Sequence, residues 1–245
     1  MKGEGSLYQD LTRRFMDLLQ LKQPPIGLAF VDGVPQGVAR VGRRVPSACT
    51  FWRLAEQGVF YANAEDHQEC PIGLMTMGFT MPEAAQQRAQ GLVQTMASVQ
   101  YFSPAEVSAL PVVDKPHGAI VYGRLDQFPG EAEVVLCILD TRQAMLIAEA
   151  AGSTNWLQQD GQAAFGRPTC AVIPRSLRTG ASSVSFGCVG ARTYIGLTPS
   201  ELVLTLPASE FAGLVERLAV VVAANEALAP FHQGQKEAFN ALWQP

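Results

Sequence analysis

Two β-rich runs, "GAIVYGRL" (Gly118 to Leu125) and "EVVLCILD" (Glu133 to Asp140), follow one another with a turn at Pro129–Gly130 between them. Proline sets φ and glycine admits conformations other residues avoid, so the pair punctuates the chain. Farther on, "TCAVIP", "SVSFGCVG" and "ELVLTLP" read as three more strands. Several strands in succession without intervening helices disfavour a parallel doubly wound sheet. The expectation is an α+β fold: one domain with a mixed or antiparallel sheet covered by helices.

Helical signals sit around these runs. Ser6 reads as the cap of a first helix in which Leu7, Leu11, Phe15, Leu18 and Leu19 recur at helical spacing. "KQPP" ends it, because proline lacks an N–H and crowds the preceding turn. "IGLAFV" (Ile26 to Val31) reads as a buried strand and "VFYAN" as another. Between them Cys49 enters a short helix, "TFWRLAEQG", and "AEDHQE" reads as a solvated loop leading to Cys70. Asp140 caps "TRQAMLIAEAAG". Ser209 caps a helix whose stripe is Phe211, Leu214, Val215, Leu218 and Val222, and a last short helix is expected over "QKEAFNALW".

With 245 residues the chain suffices for one large domain or two small ones. It has no evident linker, so residues 1–245 are read as a single domain. Two halves, about 21–110 and 111–215, resemble each other and point to an internal pseudo-repeat. In the first, a strand is followed by Cys49 and then by Cys70 in a Gly-rich turn. In the second, a strand is followed by Cys170 and then by Cys188 in another Gly-rich turn. Charged residues make up 16%, below the usual quarter or so, which together with the C-terminal helix points to a homodimer. A net charge of -4 and a pI near 5.4 argue against nucleic acid. No apolar stretch approaches the roughly 20 residues of a membrane-spanning helix, and the N-terminus lacks a signal-peptide core. The expected location is the cytoplasm. There the five cysteines are thiols, metal ligands or catalysts rather than structural disulfides.

Thiolates suit iron–sulfur clusters and zinc, and four of them give the arrangement of both cubane clusters and structural zinc. Glycines beside them let backbone approach closely and N–H groups face sulfur. The expected ligands are Cys49, Cys70 and Cys188, joined by Cys170. Gly73, Gly187 and Gly190 shape the turns around an iron–sulfur cluster or, alternatively, zinc, and Met75 and Met77 supply an apolar shell. Cys137, inside "VVLCILD", is read as a core residue. His67 is the alternative fourth ligand, against the plainer reading of a loop histidine. Two rival readings stand beside the metal. One is a thiol-dependent enzyme using Cys49, helped by a helix start and by Arg43, Arg44 and Arg53. The other is a metal-free small-molecule or anion-binding module lined by Phe51, Trp52, Tyr61 and Tyr194. A redox or enzyme partner is not named by the sequence.

Taken in order, "LKQPPIGLAF", Cys49 with Phe51–Trp52, "ECPIGLMTMGF", "QAMLIAEA", "GRPTCAVIP" and "SFGCVGARTYIGL" resemble the blocks of an uncharacterised prokaryotic family, domain of unknown function 169. The resemblance runs from about Leu21 to Phe211. It implies that Cys49, Cys70, Cys170 and Cys188 are motif positions and that Cys137 is not. It carries no settled activity. Arg192 stands where members commonly have asparagine.

Overall fold

Strands β1 (Ile26–Val31) and β4 (Val134–Asp140) lie side by side at the centre of one sheet, antiparallel, with Leu28 opposite Val134 and Ile26 opposite Leu136. The computed structural model describes residues 8–101, 103–152 and 164–242. Helix α1 (Gln9–Leu19) precedes β1. After β1 come α2 (Thr50–Ala55), β2 (Phe60–Asn63), α3 (Ala64–His67), α4 (Pro71–Thr76), α5 (Glu83–Ser98), α6 (Pro104–Ser108) and β3 (Ala119–Arg124). After β4 come α7 (Thr141–Ala150), β5 (Ala164–Phe165), α8 (Val172–Thr179), β6 (Ser183–Ser185), α9 (Val189–Ile195), β7 (Glu201–Pro207) and α10 (Phe211–Leu242).

The strand order is β2-β3-β1-β4-β7-β6-β5. Every pairing is antiparallel except the edge pair β5–β6, which is parallel, so the α+β expectation of a mixed sheet under helices holds. Read outward from the β1–β4 pair, each side repeats one pattern. The next strand comes from later in the chain (β3, β7), and the one beyond it from between (β2, β6). Strand β3, which lies past residue 111, is thus inserted between β1 and β2.

Side chains alternate across a strand, so one sequence supplies both faces. Leu28, Ile120, Tyr122, Leu136 and Val203 point to one face, where they pack with Phe51, Trp52, Leu74, Val172 and Ala191. That face carries α2, α4, α8 and α9. Val121, Val135, Cys137 and Leu204 point to the other, against Phe15, Leu146, Ile147 and Phe211 from α1, α7 and α10. The sheet therefore separates Cys137 from the remaining four cysteines.

Three segments differ from their sequence reading. "TCAVIP" is a 3-10 turn, Thr169–Ala171, running into α8 rather than a strand. Pro174 sits in the first turn of α8, where its missing N–H leaves no intrahelical bond unmade. "AEDHQE" is not a solvated loop. Asn63 caps α3 by accepting from the N–H groups of Glu65 and Asp66, and Asp66 accepts from Asn63 in return. The expected last helix is continuous with α10, which passes through Pro230 to Leu242, and its Trp243 lies outside the described residues. Ser6 and Leu7 also lie outside them. Ser209 falls in a 3-10 turn, Ala208–Glu210, ahead of α10. Asp140 caps α7 as its sequence predicts, with Gln143 closing the capping box.

Candidate functional site

Four cysteines reach one place on the α2–α4–α8–α9 face, each from the start of a helical segment. Cys49 is the N-cap of α2, Cys70 of α4 and Cys188 of α9. Cys170 lies in the 3-10 turn that leads into α8, after the cis Arg167–Pro168 bond. Local chemistry sets each stop: Pro71 occupies the first position of α4, and the Cys188 sulfur itself accepts from the Ala191 N–H at 3.4 Å, as a serine cap would.

All four line a single cavity of about 680 Å³. Cys49 and Cys170 are buried, Cys70 and Cys188 partly exposed, and none is in a disulfide. Burial pushes the Cys49 thiol up to about 12; a hydrogen bond with Ser47 Oγ at 2.7 Å opposes this, while the charges of Cys70 and Cys188 add to it. Burial also raises Cys170 well above the ordinary thiol range. The charges of Cys70, Cys188 and Cys49 raise it further, and the Thr76 hydroxyl lowers it. Cys49 and Cys170 thus each feel the charges of other thiols of the set. Thr76 belongs to the helix that Cys70 begins. Thr169, next to Cys170, accepts from the Cys188 N–H at 2.6 Å. These two threonines tie the cysteine-bearing elements together. As the chain stands, no three Cys, His, Asp or Glu side chains among the described residues are set to hold one metal ion.

Residues 14–217 match the uncharacterised ArCR family, DUF169. The chain belongs to that family. No curated protein and no solved structure matches it. In this DUF169 chain, as in the sequence blocks, Cys49, Cys70, Cys170 and Cys188 stand together and Cys137 stands apart.

The three glycines divide. Gly190 lines the cavity from the first turn of α9. Gly73 lies inside α4 rather than in a turn and does not line the cavity. A Cβ there would meet Ala48 Cβ at 2.4 Å and Cys70 Sγ at 3.0 Å, so its bareness lets α4 close on the Cys49 loop. Gly187 has φ of +86°, and a Cβ would meet Leu197 at 2.8 Å; it shapes the loop before Cys188.

His67 is not positioned as a ligand. It is buried, its Nδ1–H donates to Asn63 O at 2.7 Å, and its Nε2 accepts from the Tyr122 hydroxyl at 3.0 Å. Both nitrogens are engaged, and burial lowers its pKa to about 4. Phe51 and Trp52 are fully buried core, and Tyr61 packs on the opposite side of the sheet. Of the aromatics expected around a pocket, Tyr194 alone lines this one; Tyr101, Leu92 and Met96 join it in place of Met75 and Met77. Arg53 is spent on Ile195 O and Glu56, and Arg44 faces Glu69. Arg192 donates to the carbonyls of Phe186 and Thr198 and so braces the loops on either side of α9. Thr76 and Thr169 had no signal in the sequence, since their roles depend on partners in other segments of the chain.

Proposed function

We propose that this protein holds a cysteine-ligated iron–sulfur cluster on Cys49, Cys70, Cys170 and Cys188, and serves redox or ligand chemistry at the adjoining cavity. The observation that carries this reading is the convergence of four free thiols, from four separate helix starts, on the wall of one cavity. Apolar packing explains a thiol such as Cys137, alone in a strand. It gives no reason to gather four thiols at one place, where the charges of the others make Cys49 and Cys170 costlier to ionise. A metal reverses that cost, because ligation stabilises the thiolates and releases their protons.

Zinc is the alternative centre. Tetrahedral zinc with bonds of about 2.3 Å needs sulfurs about 3.8 Å apart. Among the described residues no three Cys, His, Asp or Glu side chains are grouped to hold one metal ion, so either centre requires the cysteine-bearing segments to draw together around it. A reducing cytoplasm would keep the thiols available. No helix of the described chain is long and apolar enough to cross a membrane.

The internal order of the sheet supports a repeated unit, with β1, β2 and β3 answering to β4, β6 and β7. Cys49 then corresponds to Cys170, between the first and second strands of each unit. Cys70 corresponds to Cys188, between the second and third.

The mainly apolar cavity, with Leu92, Met96, Tyr101 and Tyr194, favours a second reading of a small-molecule module, with or without the metal. The thiol-enzyme reading fares worse, because a nucleophile needs a lowered pKa and burial raises that of Cys49. The test is an absorption spectrum of the protein purified without oxygen. Visible sulfur-to-iron bands that bleach on reduction are expected. A colourless protein without bound metal would leave the metal-free module.

A further inference from the structure

Past Val222 the last helix leaves the body of the protein. Its first stripe, Phe211, Leu214, Val215, Leu218 and Val222, is buried against α1 and α7, so the face that first pointed to a homodimer is used within the chain. A second stripe begins where the first ends, turned to another side of the helix. Val220, Ala224, Leu228, Phe231, Ala238 and Leu242 recur at intervals of three, four or seven residues, the spacing of a coiled-coil seam. Val220 is 70% exposed, Leu228 55%, Phe231 61% and Leu242 82%. The charged residues of this segment, Glu226, Lys236 and Glu237, all fall off that seam.

A projecting helix of this kind does not hold itself together well. Isolated helices shorter than about 12 to 15 residues are marginal in water, and Pro230 and Gly234 in its interior divide this one into shorter pieces. It needs something to pack on. We infer that residues 220–242 form a dimerisation arm that pairs antiparallel with the same arm of a second copy of this chain.

The sequence of the arm is complementary to itself. In an antiparallel pair centred on Phe231, Val220 faces Leu242, Ala224 faces Ala238, Leu228 faces Gly234 and Phe231 faces its own copy, so the apolar seam of one arm lies along that of the other with no charged residue opposite it. At 1.5 Å per residue the exposed arm is about 30 Å long, and pairing two such arms buries roughly 1,200 Å², at the lower bound of stable interfaces. The match to the DUF169 family ends at residue 217, before the arm begins. The inference is independent of the thiol site.

Light scattering of the full chain at about 50 µM, in the range where a modest interface is populated, tests it. The expected mass is twice the 26.4 kDa of one chain. The paired substitution Leu228→Glu with Phe231→Glu should give monomers while the thermal transition of the body stays in place. Glu237→Lys, off the seam, should remain dimeric. A monomeric wild type, a dimeric Leu228→Glu/Phe231→Glu variant, or equal loss of dimer in Glu237→Lys would each overturn the proposal.

Discussion

The backbone N–H of Cys188 donates to the Thr169 hydroxyl at 2.6 Å, which fastens the loop carrying one thiol to the turn carrying another. Thr169→Val keeps the shape and removes the acceptor. It leaves a partly buried N–H unpaired, at a cost of about 1 to 2 kcal/mol. Urea unfolding should register that loss, and metal retention should weaken with it. Equal midpoints for the variant and the wild type would show that the bond does not hold the site.

Gly73 and Gly190 give opposite predictions for the same change. At Gly73 a methyl group would sit 2.4 Å from Ala48 Cβ, so Gly73→Ala must push α4 from the Cys49 loop, costing about 1 to 3 kcal/mol. At Gly190 the nearest atoms, Cys188 Sγ and Tyr194 Cε2, are both 3.8 Å away. There alanine is accommodated, and its better helix propensity favours it by up to about 1 kcal/mol. Thermal denaturation of both variants checks the pair; a destabilised Gly190→Ala beside an unchanged Gly73→Ala would reverse the assignment.

Much of this arrangement is readable from the chain, and the misses have physical causes. The β1 and β4 runs are apolar and β-branched with turn residues at their ends, and Asp140 with Gln143 marks the start of α7. "TCAVIP" misleads because a short apolar run has no period, so a buried helix start looks like a buried strand. "AEDHQE" looks solvated because its partners are distant: Arg40 reaches Asp66 at 3.0 Å, and Tyr122 reaches His67. The cysteines were visible as motif positions, whereas the cavity that joins them arises only when α4, α9 and the Thr169 turn meet.

His67 makes the fold sensitive to mild acid. Its pKa in the folded chain is about 4, because burial disfavours the charged ring, against 6.5 for an ordinary histidine. Between those values the unfolded chain takes up a proton that the folded chain refuses. Stability is therefore full above about pH 6.5 and declines as pH falls toward 4, by up to about 3 kcal/mol. His67→Gln should flatten the slope over that range in urea titrations. An unchanged slope would place the sensitivity elsewhere.

The central claim, that four thiols hold one centre, is tested most directly by counting iron, acid-labile sulfide and zinc per chain after purification without oxygen. Wild type, Cys137→Ser, Cys70→Ser and Cys188→Ser should be compared. For a cubane, about four iron and four sulfide per chain are expected in the wild type and in Cys137→Ser, falling several-fold in the other two. One zinc per chain with the same dependence on Cys70 and Cys188 would keep the four-thiol centre and change its metal. A wild type holding neither iron nor zinc, or a Cys137→Ser variant that loses metal as fully as Cys70→Ser, would contradict the account.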